Sequence, residues 1–164
     1  MHAHEMQPRP EHRHVADGFV GTVAGFLAGV AYLGAQVSFT ALARQGDAAE
    51  PLQRIAAILM GPDAAPPPTD LNFTIFGMAM LIHFGLAIVY GRWIAALVDS
   101  LALLPAVALG AGLGLVLFGL NFEVIAPLAF PWFESSLRLI TAADHALFGA
   151  LAAAVCVLLR PTRR

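Results

Sequence analysis

Four side chains in this sequence bring acid–base and ligand chemistry into apolar surroundings: His83, Glu123, Asp144 and His145. Imidazole exchanges protons near neutral pH and is the commonest metal ligand. Ionisable groups at membrane depth are costly and mark ion or substrate paths. A cluster of these four therefore fits a proton relay or a small transporter. Two histidines from different helices also match the axial ligands of a haem, or half the shell of a divalent metal. Bis-His ligation needs both rings at one depth, and at about 1.5 Å per residue His83 and His145 could differ by several ångströms. The plainest role is structural, with each group bonded to a carbonyl or a Tyr of a neighbouring helix. Tyr90 follows His83 on roughly the same face, and Asn121 accompanies Glu123.

Other chemistry is thinly represented. Ser, His and Asp form no recognisable nucleophile arrangement, and neither GxSxG nor HExxH occurs. Gly110, Gly112 and Gly114 lie inside an apolar run with no preceding strand and no Lys, so they do not make a nucleotide loop. Cys156 is the single cysteine, which excludes an internal disulfide and a CxxC site. His2, His4, His12 and His14 could bind a soft divalent metal, but a solvated tail explains them better. Asn72-Phe73-Thr74 fits a glycosylation pattern by chance. The expectation is a protein that is not an enzyme and has no resident cofactor.

The elements that must position these residues are membrane spans. Hydrophobic residues make up 59% of the 164 positions and charged residues 12%. A soluble chain of this length could not hide so much apolar surface. Four apolar stretches, at about 19–43, 72–98, 101–122 and 140–159, each reach the ~20 helical residues needed to cross a bilayer. Residues 1–17 read as a polar, His-rich tail, 18–160 as one four-span domain, and 161–164 as a basic tail. Between spans 1 and 2, Pro51 to Gly61 has Pro at a helix start and Gly at its end. Leu52, Ile55, Ala56 and Leu59 share a face, with Gln53 and Arg54 off it, which predicts a short interfacial amphipathic helix. The run 123–139 is broken by Pro127 and Pro131, and Trp132 and Phe133 suit the headgroup zone. The fold class is thus an all-α four-helix transmembrane bundle with one interfacial helix.

All nine basic residues are Arg, a bias of high-GC bacterial genomes, and the net charge of −2 gives no reason to expect nucleic acid. Arg9, Arg13, Arg92, Arg160, Arg163 and Arg164 fall on one side and Arg44, Arg54 and Arg138 on the other. The positive-inside rule then puts both termini in the cytoplasm and the 44–71 connection in the periplasm.

Lipid is as apolar as Leu, so close backbone approach and interhelical hydrogen bonds must hold the spans together. Gly21, Gly25 and Gly29 form a bare stripe on span 1. Ala106, Gly110 and Gly114 do so on span 3, and Ala79, His83, Ala87 and Gly91 on span 2. On span 4 the stripe reads Ala142, Ala146, Ala150 and Ala154, with His145 aligned to Gly149 and Ala153. Such faces also mediate dimerisation, so the leading expectation is an accessory subunit or homo-oligomer acting through helix contacts. A small ion-conducting or transporting unit is the alternative and a haem-binding electron-transfer subunit the third.

Several motifs resemble a group of small, uncharacterised bacterial inner-membrane proteins with four spans. They are the Gly-rich stretch Gly18 to Gly34, the segment Pro51-Leu52-Gln53-Arg54-Ile55-Ala56-Ala57 running to Gly61, His83-Phe84-Gly85 with Tyr90-Gly91, and Asp144-His145-Ala146-Leu147-Phe148-Gly149. Some members of that group carry a sodium/solute symporter label. Four helices are far fewer than such a transporter needs for its paired repeats. The resemblance therefore implies fold and location rather than activity.

Overall fold

A computed structural model describes residues 10–44, 48–65, 71–130 and 138–160. His2, His4, Trp132, Phe133, Arg163 and Arg164 lie outside the described residues. Every regular element among the described residues is helical. They are α1 (Pro10–Arg44), α2 (Glu50–Met60), a short 3₁₀ turn (Pro62–Ala64), α3 (Phe73–Val98), α4 (Leu103–Phe118), a π-helical stretch (Gly119–Ile125), α5 (Ala126–Ala129) and α6 (Arg138–Leu158).

Four stretches, Gly18–Leu42, Phe73–Val98, Leu103–Ala129 and Arg138–Leu158, are long and apolar enough to cross a membrane. The protein is an all-α, four-helix, multi-pass membrane protein. Two boundaries differ from the sequence reading. The first helix begins at Pro10, inside the expected tail, because a first-turn Pro gives up no helical hydrogen bond. The third span continues past Phe122 to Ala129. Pro127 has no N–H and its ring would strike the carbonyl four residues back in a regular α-helix. The chain widens just before it, so that the Ala126 N–H bonds the carbonyl of Asn121, and the helix passes the proline instead of stopping.

Helix ends follow local chemistry. The Asn72 side chain accepts from the amides of Thr74 and Ile75, both at 3.0 Å, so this residue caps α3. Gly61 ends α2 at φ 87°, a conformation that side-chain-bearing residues resist, and its N–H bonds the Ala57 carbonyl at 2.9 Å. Pro105 falls in the first turn of α4.

The helices associate as two close pairs, α1 with α3 and α4 with α6, joined through α1 and α6. Glycines set both pairs. A β-carbon on Gly25 would land on the Ala87 carbonyl, and one on Gly91 would lie 2.6 Å from the Gly21 carbonyl oxygen. In the second pair a β-carbon on Gly114 would strike the His145 carbonyl, and one on Gly149 the Gly110 carbonyl. On α6 the buried line is His145, Gly149, Ala152, Ala153 and Cys156, so the expected Ala142–Ala154 stripe sits to one side of the contact. Small residues therefore fill the interior while Leu81, Leu104, Val116 and Trp93 face outward. This inverts a water-soluble bundle, where those large side chains would be the core, and suits an apolar surrounding such as lipid.

The short helix α2 departs most from expectation. Its buried residues are Pro51, Leu52, Gln53, Ala56 and Ala57, whereas Leu59 is exposed. Gln53 points into the protein, not away from it. Ala56 and Leu52 pack on Ile75 and Ala79 of α3, with Leu33 of α1 beside them. Leu gains nothing by leaving lipid, while the small Ala56 and Ala57 allow α2 to approach α3 closely.

Candidate functional site

Beyond the glycine-packed region, the helices part around a cavity of about 350 Å³. Its walls come from α1, α2, α3, the end of α4 with the π-helical stretch and α5, and α6. Most of the lining is apolar, including Ile82, Leu86, Leu117, Phe122 and Phe148, with a few polar groups among them. That size and composition are typical of small-molecule sites.

Of the four candidate residues, His83 and His145 line this cavity. They do not bond each other; the Tyr32 ring packs against both, stacked on His83 at 5.7 Å and edge-on to His145 at 4.9 Å between centroids. Phe118 and Phe122 complete an aromatic collar around His145. Asp144 is buried behind this row, where Gln36 of α1 donates to its carboxylate at 2.6 Å. Glu123 is separate: it is exposed and pairs with Arg138 outside the cavity.

Hydrogen bonds assign the imidazole protons. His83 Nε2 lies 2.9 Å from the Gly29 carbonyl oxygen, and His145 Nδ1 lies 2.8 Å from the Thr141 carbonyl oxygen. A carbonyl only accepts, so the proton of a neutral ring sits on His83 Nε2 and on His145 Nδ1. His83 Nδ1 and His145 Nε2 are then bare acceptors. Among the described residues, neither is a buried polar atom without a hydrogen-bond partner. The Tyr32 hydroxyl oxygen is 3.2 Å from the already protonated His145 Nδ1. It can only receive from that nitrogen, which leaves its own O–H proton free for another acceptor.

Two further polar features border the cavity. Arg54 donates to Glu50 one turn earlier at 2.8 Å, an ion pair of α2 within the cavity lining. Tyr90 of α3 donates to the Asn121 side chain at 3.0 Å, linking α3 to the π-helical stretch. Among the described residues, no three His, Cys, Asp or Glu side chains gather as a metal shell.

Sequence reasoning missed Tyr32, Gln36, Thr40 and the inward turn of Glu50 and Arg54. A signal for the first three was present. The stripe Gly21, Gly25, Gly29 continues at helical spacing through Tyr32, Gln36 and Thr40, changing from bare to polar on one face. Compared with protein-family models, curated proteins and solved structures, the chain has no significant match.

Proposed function

We propose that this protein binds a lipid-soluble small molecule within its bundle and acts as a carrier or receptor for it, without chemical conversion. The cavity carries this reading: apolar walls from five helical segments enclose a few convergent polar groups. The bundle beyond it is closed by backbone contacts at Gly25–Gly91 and Gly110–Gly149, which favours a pocket with one blind end over a conduit for ions. A bacterial inner-membrane location with both termini cytoplasmic is part of the proposal, supported by the arginine distribution. Reporter fusions at each terminus test that orientation.

The binding test is extraction of the protein purified in lipid nanodiscs, followed by mass spectrometry of co-purified small molecules. A bound apolar compound is expected, and Leu117→Trp, which fills the cavity wall, should displace it. Absence of any such compound, with no thermal stabilisation by added apolar molecules, would overturn the reading.

An accessory-subunit or homo-oligomer role is the second reading. The glycines that suggested it are used inside the chain, so it rests instead on Gly77, Gly85 and Gly112. None of these has another residue within 4 Å of where its β-carbon would stand. Crosslinking in native membranes tests it, with Gly77→Leu and Gly85→Leu expected to abolish a specific adduct.

A further inference from the structure

The polar complement of the cavity specifies what kind of head group its occupant carries; this inference rests on the binding role proposed above. Three groups of the lining residues can pair with an occupant: two imidazole nitrogens without a proton, His83 Nδ1 and His145 Nε2, and one donor, the Tyr32 O–H. All three groups belong to the cavity lining and come from three helices, α3, α6 and α1. Among the described residues, the lining also holds an ion pair, Glu50 with Arg54, both on α2. Asp144, the nearest carboxylate in sequence, is turned towards Gln36 of α1.

A carboxylate or phosphate brought to this row would face two lone pairs and a single donor. A ketone, ether or ester could take the Tyr32 proton but would leave both imidazole acceptors unmatched. Buried polar groups left unpaired cost about 1–3 kcal/mol each. A hydroxyl matches more of the row: its proton goes to one of the two imidazole nitrogens and its oxygen receives from Tyr32, so one acceptor fewer is left unpaired than with an ether. The surrounding Phe122, Phe148 and Leu117 require the remainder to be apolar, and the aromatic collar suits a ring. We infer that the cavity selects a neutral, hydroxyl-bearing apolar molecule of phenol type, recognised by His83, His145 and Tyr32.

The experiment compares three probes on the intact protein in nanodiscs: para-octylphenol, its methyl ether and para-octylbenzoate. Affinity is read by thermal shift and by equilibrium dialysis. The phenol should bind at least about tenfold more tightly than the ether, because the site's acceptors go unmatched in the ether complex. The benzoate should bind more weakly than either. In the double variant His83→Phe/His145→Phe the ratio of phenol to ether affinity should fall towards one. Equal binding of phenol and ether by the unaltered protein overturns the hydroxyl preference and leaves the cavity reading standing. Tightest binding of the benzoate overturns it as well. Failure of all three probes to bind removes the cavity reading itself. The comparison of probes on the unaltered protein decides the matter even where the double variant does not fold.

Discussion

The Gly29 carbonyl oxygen lies 2.9 Å from His83 Nε2, so one residue serves both the packing of the bundle and the arrangement of the cavity. The missing side chain at Gly29 lets α3 come close: a β-carbon there would stand 2.8 Å from that of Ala87. The same approach puts the imidazole, itself part of the cavity lining, within reach of the α1 backbone and fixes which nitrogen bears the proton.

Replacing His83 with Leu should destabilise the fold only slightly. Gly29 lies inside α1 and keeps a helical partner for its carbonyl, so the loss is that of one interhelical hydrogen bond, about 0.6–1.7 kcal/mol in a membrane. Binding of the cavity ligand should suffer more than stability. Cys156 supplies the stability measurement, since it is 1% exposed and the sequence has no other cysteine. A maleimide that fluoresces on reaction should label it only as the bundle opens on heating. Rapid labelling of the folded protein would contradict the burial of this thiol.

Glycines on one helix should respond oppositely to the same substitution. Gly114→Ala forces a methyl group into the His145 backbone, which cannot rotate away, so α4 and α6 must separate. A cost of about 1–3 kcal/mol is expected from overpacking. Gly112→Ala meets nothing within 4 Å and should stabilise by about 0.5–1 kcal/mol through helix propensity. Melting followed by Cys156 labelling separates the two. Equal melting temperatures for both variants would show that α4 and α6 are not in backbone contact.

The sequence made the four spans and most contact faces legible because both depend on local pattern. Length and hydropathy fix the spans, and Gly25, Gly91, Gly110 and Gly114 announce close approach wherever they recur at helical spacing. The cavity was legible only in part. His83 and His145 stood out as isolated ionisable residues, yet their meeting through Tyr32 depends on how α1 lies between α3 and α6, which no local pattern encodes. Glu123 drew attention for the same reason as the histidines. Its actual partner, Arg138, lies across a connection whose path the sequence does not reveal. On α2 the expected face holds for Leu52 and Ala56, which are buried, but not for exposed Leu59 or buried Gln53, because amphipathicity sorts side chains by water, and here lipid and protein interior are equally apolar.

Gln36 and Asp144 supply a further test of that interior. Asp144 is 3% exposed and receives a 2.6 Å hydrogen bond from the Gln36 amide. Gln36→Leu removes the donor and leaves a buried carboxyl group without it, so a loss of about 1–3 kcal/mol is expected. Gln36→Leu combined with Asp144→Leu removes both partners and should recover much of that loss. A double variant no more stable than Gln36→Leu would show that the pair does not act as a unit.

Arg160 closes the opposite end of the bundle and gives the last prediction. It follows α6 and bonds the Val98 carbonyl and, at 3.3 Å, the Leu101 carbonyl, with the Asp99 carboxylate 3.9 Å away. The Val98 carbonyl at the end of α3 also accepts the Leu101 N–H at 3.0 Å, whereas Pro105, four residues after Leu101, has no N–H to offer the Leu101 carbonyl, so the guanidinium braces the first and supplies a donor to the second. The connection between α3 and α4 is thereby tied to the end of α6, on the side where α3 and α4 otherwise make little contact. Lys should be a poor substitute because a single ammonium cannot present the planar fork that reaches two carbonyls at once. Arg160→Ala is expected to cost about 1.5–3 kcal/mol, the range for hydrogen bonds to a charged donor, and Arg160→Lys to recover only part of it. Proteolysis at residues 99–102 should accelerate in the Ala variant. Unchanged melting and unchanged cleavage would mean that the turn holds its shape without the arginine.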